Sequence, residues 1–386
     1  MEDIKIILIG NYLPDKQESM IRFAQMLDLG FRRAGVSSEI WWPIAFFGVK
    51  AKSTSSGLGK WLGYLDKYII FPFVLRWRLL NKTLNGSNVR FHVCDHSNAP
   101  YLKYLPADRT SITCHDVIAI RGGMGYTQFA TPASSLGKLL QKWIFYYLSR
   151  SKLLASVSQF TLNQLRELLV DQASNQKEWQ VIYNAFNADF RPMKANKRRT
   201  LLSKAGLRPD RPFLLHVGSE MPRKNRKLLL EMVFALGNNW DGFICYAGSA
   251  IDEALVVLAK RLGLQDRVVS IANPDHNTLV ALYSACEAFI FPSLAEGFGW
   301  PVIEAQACGA PVIASNIEPI PEVSGGAALL ANSTKPQEFA DALLLLKEDS
   351  VRSKLIQQGY LNCRRFELAP IIDSYLFLHG VKPCKS

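Results

Sequence analysis

The sequence predicts an α/β protein of two doubly wound parallel domains in tandem, and three observations carry that reading. Short β-branched runs alternate with longer amphipathic segments along nearly the whole chain, the pattern of strand–helix–strand crossovers. The rhythm breaks at a basic stretch near the middle and then restarts. The 386 residues are too many for one typical core and comfortable for two. Two such domains facing each other would leave a cleft at the carboxyl ends of their sheets, where open α/β folds take ligands.

The elements follow in order. Ile4 to Ile9 reads as a buried strand, and Glu18 to Ala34 as a helix stopped by Gly35. Ser38–Trp42, Val89–Cys94, Ser111–Cys114, Leu153–Val157 and Gln180–Tyr183 are short apolar or β-branched runs and read as further strands. From Asn187 to Thr200 the chain is polar, contains Pro192 and carries five cations between Arg191 and Arg199, so it reads as a linker. Strands are then expected at Phe213–Val217, Phe243–Ala247, Val268–Ile271, Ala288–Phe291 and Pro311–Ala314. Helices are expected at Asn225–Leu236, Asp252–Leu262 and Asn277–Cys286. A last one is opened by Pro301, where a missing N–H costs nothing, and ends at Cys308-Gly309.

Bulk composition narrows the partners. The net charge of +12 suits nucleic acid, an anionic membrane or phosphorylated small molecules, and composition alone does not choose. Seven cysteines lie far apart with no C-x-x-C pair, which predicts reduced, mostly buried thiols and a cytoplasmic home. Met1-Glu2-Asp3 puts acids where a signal peptide needs cations. No run of about twenty apolar residues is present, so no spanning helix is expected.

The most informative stretch runs from Phe291 to Glu304, a buried strand leading through a glycine-bearing loop into a helix. Glu296 and Glu304 are separated by seven residues. Glu296 is expected in the loop and Glu304 in about the first turn of the helix. Gly297 and Gly299 allow backbone N–H groups to face a ligand, and the helix start adds positive potential toward phosphate or hydroxyl oxygens. Paired carboxylates suit vicinal hydroxyls of a sugar. On spacing alone, a plain strand–turn–helix with solvated acids stands equally well.

The whole segment, continued by Ala305 to Ser315 and Glu318 to Val323, closely resembles the E-x7-E signature of family 4 retaining glycosyltransferases, also grouped as glycosyl transferases group 1. The resemblance implies the GT-B architecture, with two Rossmann-like domains across a cleft. It implies that Glu296 meets hydroxyls of the donor sugar and Glu304 the ribose of the nucleotide. The backbone of Gly297, Phe298, Gly299 and Trp300 would line the sugar and diphosphate. Gln306 stands where the family often has methionine.

A second block, Leu215 to Asn225, places Arg223 and Lys224 after a strand and at an expected helix start, a sensible pair for a diphosphate. A solvated basic helix start is the alternative. These cations are similar to the family's diphosphate-binding pair, with Gly218 lining the site. Many members carry arginine after that glycine, where this chain has Ser219. A third block, Ser111 to Val117, ends a strand in His115-Asp116. A structural histidine is the common reading of such a position, yet His115 resembles the family's cleft histidine near the transferred sugar. Asp116 is only its neighbour. Ser156 to Thr161 is similar to the family's strand-to-helix turn. The family's glycine-rich first loop is absent, and Asp15 to Ser19 could offer polar contacts instead.

The resemblance implies front-face transfer with retention, in which the departing diphosphate oxygen helps to deprotonate the acceptor. His115, Glu296, Arg223 and Lys224 would be the catalytic groups, contributing position and charge stabilisation. No well-placed D-x-D motif or His/Cys cluster points to a metal, so no metal and no cofactor is expected besides the nucleotide sugar as co-substrate. GDP-mannose and UDP-hexose remain open as donors. A glycan, a lipid-linked acceptor or a small molecule remains open as acceptor. A GT-B nucleotide-sugar epimerase and a non-catalytic sugar-nucleotide binder are the alternative functions.

Residues 1–190 are expected to bind the acceptor, 191–365 the donor, and 366–386 to cross back to the first domain. From Trp41 to Lys82 aromatics interleave with cations, including Lys50 and Lys52, against the single acid Asp66. Such a mixture fits an N-domain helix burying Ile69, Ile70 and Val74. It also fits an anionic bilayer surface on the cytoplasmic side. Nucleic acid is the least favoured partner. Pro72, bracketed by Lys67 and Arg76, prevents a membrane span.

Overall fold

The computed structural model describes residues 4–50, 54, 57–84, 86–126, 134–169, 178–208 and 211–381. Met1 to Asp3, Lys52 and Cys384 lie outside the described residues. The chain divides into two compact units, Met1–Asn187 together with Glu367–Ser386, and Ala188–Phe366.

In the first unit the strands are β1 (Lys5–Ile9), β2 (Ser37–Trp41), β3 (Val89–Val93), β4 (Thr110–Cys114), β5 (Leu153–Ser156) and β6 (Glu178–Val181). They pair in the order β2-β1-β3-β4-β5-β6, all parallel. Ile7, Ile9, Phe91, Val93, Ile112 and Leu154 are fully buried, as expected of strands covered on both faces. The helices are α1 (Glu18–Arg33), α2 (Gly57–Leu65), α3 (Phe71–Leu79), α4 (Ile118–Gly123), α5 (Ser135–Leu148) and α6 (Gln159–Glu167). A π-helical stretch, Asp66–Ile70, joins α2 to α3. Pro72 sits at the start of α3, where it needs no N–H partner, so the chain passes through it. The core face differs from the sequence reading. Phe71 and Leu75 are buried, Ile70 and Val74 are partly covered, and Ile69 is exposed.

The second unit carries α7 (Ala195–Lys204), β7 (Phe213–Gly218), α8 (Lys227–Leu236), β8 (Phe243–Gly248), α9 (Glu253–Arg261), β9 (Val268–Ala272), α10 (His276–Ala285) and β10 (Ala288–Phe291). It continues with α11 (Trp300–Ala307), β11 (Val312–Ser315), α12 (Ile320–Ser324), β12 (Leu329–Ala331), α13 (Pro336–Leu345) and α14 (Asp349–Cys363). The parallel order is β12-β11-β10-β7-β8-β9, so the winding reverses between β7 and β10. The expected linker is in part a helix. Lys and Arg are good helix formers, Leu202 of α7 is buried, and the Arg198 guanidinium donates to the Ser284 carbonyl at 2.5 Å.

The chain then returns to the first unit as α15 (Leu368–Leu378), which packs on α1. The approach requires Gly30, because a Cβ there would stand 2.3 Å from Ile372 Cδ1. Tyr375 and His379 join a buried network. The Thr113 and Tyr375 hydroxyl oxygens are 3.0 Å apart, and Ser111 Oγ is 3.1 Å from His379 Nε2. His92 Nδ1 and Nε2 meet Ser111 and Thr113 at 2.7 and 3.0 Å. Five of the six described cysteines are buried, and burial raises their thiol pKa values. No helix among the described residues is long and apolar enough to cross a membrane.

Candidate active site

In the second unit, the candidate residues gather where the winding reverses, at the carboxyl ends of β7 and β10. Beyond β7, Pro222–Lys224 make one 3₁₀ turn. Asn225 ends it at φ +50°, with its side-chain amide donating to the carbonyls of Pro292 and Ser333 at 3.2 and 2.8 Å. Here the sequence reading needs correction. Arg223 and Lys224 do not start the following helix, because Pro222 fixes a separate turn and left-handed Asn225 redirects the chain before α8 begins at Lys227. That turn is tied to the loop after β10. Leu294 N–H donates to the Arg223 carbonyl at 2.7 Å, and the Arg223 guanidinium donates to the Ala295 carbonyl at 3.0 Å.

The loop delivers Glu296 to both cations. Its Oε1 accepts from Lys224 Nζ at 2.6 Å and its Oε2 pairs with Arg223 Nη1 at 2.9 Å. Glu296 and Lys224 are buried, so water screens these pairs little. Burial pushes the Glu296 carboxyl up, but the charges on Lys224 and Arg223 outweigh it and hold the group below its ordinary 4.5. Glu296 is therefore a carboxylate, able only to accept hydrogen bonds.

Gly297, Phe298 and Gly299 are buried. Gly299 caps α11 at φ +103°, a conformation that only glycine adopts without strain, and a Cβ there would stand 2.9 Å from Ile320 Cδ1. The Phe298 ring packs edge-on to Trp300 and Phe366 at 6.3 and 5.6 Å. Only its backbone therefore suits the role expected of it. Glu304 is the fifth residue of α11, at the end of its first turn and one residue further in than a start at Pro301 would put it, since the helix begins at Trp300. It is buried and accepts from Tyr283 Oη at 3.0 Å.

Gln306 has a structural role that the sequence left open. Its side-chain amide donates to the carbonyls of Ser324 and Ala327 at 3.0 and 3.1 Å and accepts from Asn362 at 2.8 Å. A thioether offers none of these donors. Near Gly218, two buried polar atoms have no partner among the described residues: Ser219 Oγ and His216 Nε2. His216 Nδ1 donates to the Ile290 carbonyl at 3.2 Å, which leaves Nε2 as the unprotonated nitrogen. Burial holds this ring neutral, with its pKa lowered to about 3.

In the first unit, a polar cluster lies beyond β1, β3 and β4. His115 is buried, and its Nε2–H donates to the Cys94 carbonyl at 2.9 Å, so the lone pair of the neutral ring is on Nδ1. Burial lowers its pKa, against the opposing pull of Asp95. Phe23 packs edge-on to it at 4.6 Å. Asp95 accepts from Asn11 Nδ2 at 2.5 Å and lies 3.2 Å from His96 Nδ1. Asp116 caps the turn into α4 through Ile118 N–H at 2.9 Å. Ser158 caps α6 through Thr161 N–H at 3.1 Å. Asp15 is committed within the unit, accepting from Lys67 and Thr54 at 2.7 Å each.

The glycosyl transferases group 1 family matches residues 197–362, the span that holds Gly218, Arg223, Lys224, Glu296 and Glu304. The chain carries a glycosyl transferases group 1 domain. Its sequence is similar to O-antigen chain mannosyltransferase B of Escherichia coli, 25% identical over 338 residues and covering 82% of each chain. Its structure is similar to sucrose-phosphate synthase of Thermosynechococcus elongatus, with a TM-score of 0.72 at 18% identity over 98% of both chains. HepE of Anabaena in complex with UDP-glucose gives 0.67 at 16% identity, covering 97% of this chain and 99% of that one. The fold is GT-B, and the protein is a glycosyltransferase.

Within this glycosyltransferase the structure brings Arg223, Lys224 and Glu296 into direct contact, with Gly218 and Gly297–Trp300 on the adjoining segments. His115 belongs to the other unit. Sequence reasoning passed over His96, which accepts from the His115 backbone N–H, Asp95, whose charge acts on His115 and which Asn11 holds, and Tyr283, which holds Glu304. The Asp95-His96 pair stands directly after a predicted strand, and that was the available signal.

Proposed function

We propose that this glycosyltransferase is a retaining enzyme that moves a hexose from a nucleotide-diphosphate sugar to an acceptor hydroxyl, forming an α-glycoside. The observation that carries the reading is the buried Arg223–Glu296–Lys224 cluster at the reversal between β7 and β10. Open α/β sheets take ligands at such a point. Guanidinium and ammonium together carry more N–H donors than one carboxylate can accept, so both cations can hold Glu296 and still meet a diphosphate. The unpartnered Ser219 Oγ beside Gly218 adds a polar group of the kind a phosphate would use.

In this reading Arg223 and Lys224 stabilise negative charge developing on the leaving diphosphate. Glu296, held as an anion, accepts hydrogen bonds from sugar hydroxyls, and Glu304 accepts from the ribose. His115 contributes its Nδ1 lone pair to the acceptor side. The diphosphate oxygen takes the acceptor proton, so no metal and no enzymic nucleophile is needed. Similarity to an O-antigen mannosyltransferase favours GDP-mannose as donor and a lipid-linked or free glycan as acceptor. The HepE complex keeps a UDP-hexose as the second donor.

Calorimetric titration with UDP, GDP and ADP, repeated on Glu304→Ala and Arg223→Ala, tests the site. Binding of one nucleotide, weakened about tenfold or more in both variants, is expected for lost charge-assisted hydrogen bonds. A folded wild-type chain that binds none of the three would remove the reading.

A further inference from the structure

The first unit has an apolar groove of about 450 Å³, built in part from the Trp41–Lys82 stretch and separate in sequence from the candidate site residues His115, Gly218, Arg223, Lys224, Glu296 and Glu304. One wall is Trp61, Tyr64 and Tyr68, from α2 and the π-helical stretch, and the other is Leu136, Leu139 and Trp143 of α5. The rings form a continuous run. Centroids are 6.0 Å apart for Trp61–Tyr64, 5.8 Å for Tyr64–Tyr68 and 5.2 Å for Tyr68–Trp143. A core helix buries its apolar stripe, but here the stripe is largely in water. Trp61 is 53% exposed, Leu139 62% and Leu58 76%. Further along, Phe73 and Trp77 of α3 are 64% and 73% exposed. An exposed apolar groove with this many large side chains beside it is uncommon without a partner.

The charge on the segments that form it is nearly all of one sign, although Lys67 is neutralised by Asp15 from another part of the unit. Residues 57–84 and 134–150 contain eight Lys or Arg and one acid, Asp66. Asp66 is fully buried and accepts from Tyr12 Oη at 2.6 Å and from the N–H groups of Phe46, Phe47 and Gly48, so it offers nothing to the outside. Lys60, Arg76, Lys138 and Lys142 are exposed on the same helices as the apolar residues.

We infer that this face docks on an anionic lipid bilayer, with the groove taking an acyl chain and the lysines and arginines meeting lipid phosphates. Aromatic rings at the headgroup level, aliphatic side chains below and cations around them are the groups an interfacial helix uses. A second copy of this chain would oppose cations to cations across a two-fold axis. Nucleic acid would use the cations and the rings but would gain nothing from exposed Leu58, Leu136 and Leu139.

The test is flotation of the full chain with phosphatidylcholine vesicles, with and without phosphatidylglycerol, together with quenching of tryptophan fluorescence by brominated acyl chains. The expected result is flotation with the anionic vesicles only, with quenching. Affinity should fall about tenfold or more in Trp61→Ser/Leu139→Gln and in Lys138→Glu/Lys142→Glu, roughly the worth of one or two surface cations. All four positions are exposed, and the quenching of the unmodified chain needs no variant. Failure to float with anionic vesicles, or flotation unquenched and unchanged in both variants, overturns the inference. So does self-association without lipid that the same variants abolish, or salt-sensitive RNA retention in a chain that ignores vesicles.

Discussion

Glu296 meets two cations with its two oxygens, and this makes it the residue on which the electrostatics of the second unit turn. Replacing it by glutamine would leave Arg223 and buried Lys224 as neighbouring like charges. Breaking a buried ion pair from one side costs about 3–5 kcal/mol. Glu296→Gln should therefore lower the unfolding free energy by about that much near neutral pH, read from urea unfolding. The sign of its pH dependence follows from a carboxyl held below 4.5 in the folded state. Its contribution is complete above 4.5 and is lost as pH falls through the lower folded value. The gap between wild type and variant should shrink accordingly in acid. A gap that stays constant down to strongly acidic pH would contradict the pairing.

At the scale of elements, the loop between β10 and α11 depends on Gly299. Its φ of +103° and the closeness of Ile320 leave no room for a side chain. Gly299→Ala should cost about 1–3 kcal/mol in stability and displace the backbone of Gly297 and Phe298, which precede it. A variant as stable as wild type would show that the turn relaxes freely. Gln306 makes a second such dependence. Gln306→Met, which brings in the residue common in the family, should destabilise by about 1–3 kcal/mol, because the buried Ala327 carbonyl would lose its side-chain donor and Asn362 an acceptor, while the Ser324 carbonyl would keep only the Ala327 N–H. Thermal unfolding of the two variants beside wild type checks both.

At the scale of the molecule, the first unit is closed by the end of the chain. Deleting Glu367 onward would remove Tyr375 and His379 from Thr113 and Ser111 and uncover the face of α1 at Gly30. Loss of cooperative unfolding of the first unit is expected, with the Ala188–Phe366 unit still folded, measured by calorimetry and limited proteolysis. The buried histidines give the fold a second acid dependence. Burial lowers His379 and His216 from 6.5 to about 3 each, so the unfolded chain takes up protons that the folded chain refuses. Stability should begin to fall below about pH 6.5 and continue to about pH 3, by about 1.4 kcal/mol per pH unit for each histidine. Urea midpoints that are flat between pH 6 and pH 4 would rule this out.

The sequence by itself determined the α/β class, most strands and, to within one residue, the helix start at Pro301 after the glycine-bearing loop. Each of these is local. Strands buried on both faces are continuous apolar runs, and a glycine-bearing strand–loop–helix has a readable spacing. The tertiary structure alone decided features that rest on distant partners. The ends of two strands brought Glu296 onto Arg223 and Lys224, although 72 positions separate it from the lysine. A side-chain amide bonded to two remote carbonyls, which no pattern records, stopped the expected helix start at Asn225. Packing on Ser284 turned part of a basic linker into α7. The aromatic stretch after Trp41 also needed coordinates. Its periodicity allowed a core helix, but the core took Phe71 and Leu75 and left Trp61, Ile69 and Trp77 outside. Burial is a property of the neighbours a residue acquires, and those neighbours come from other parts of the chain.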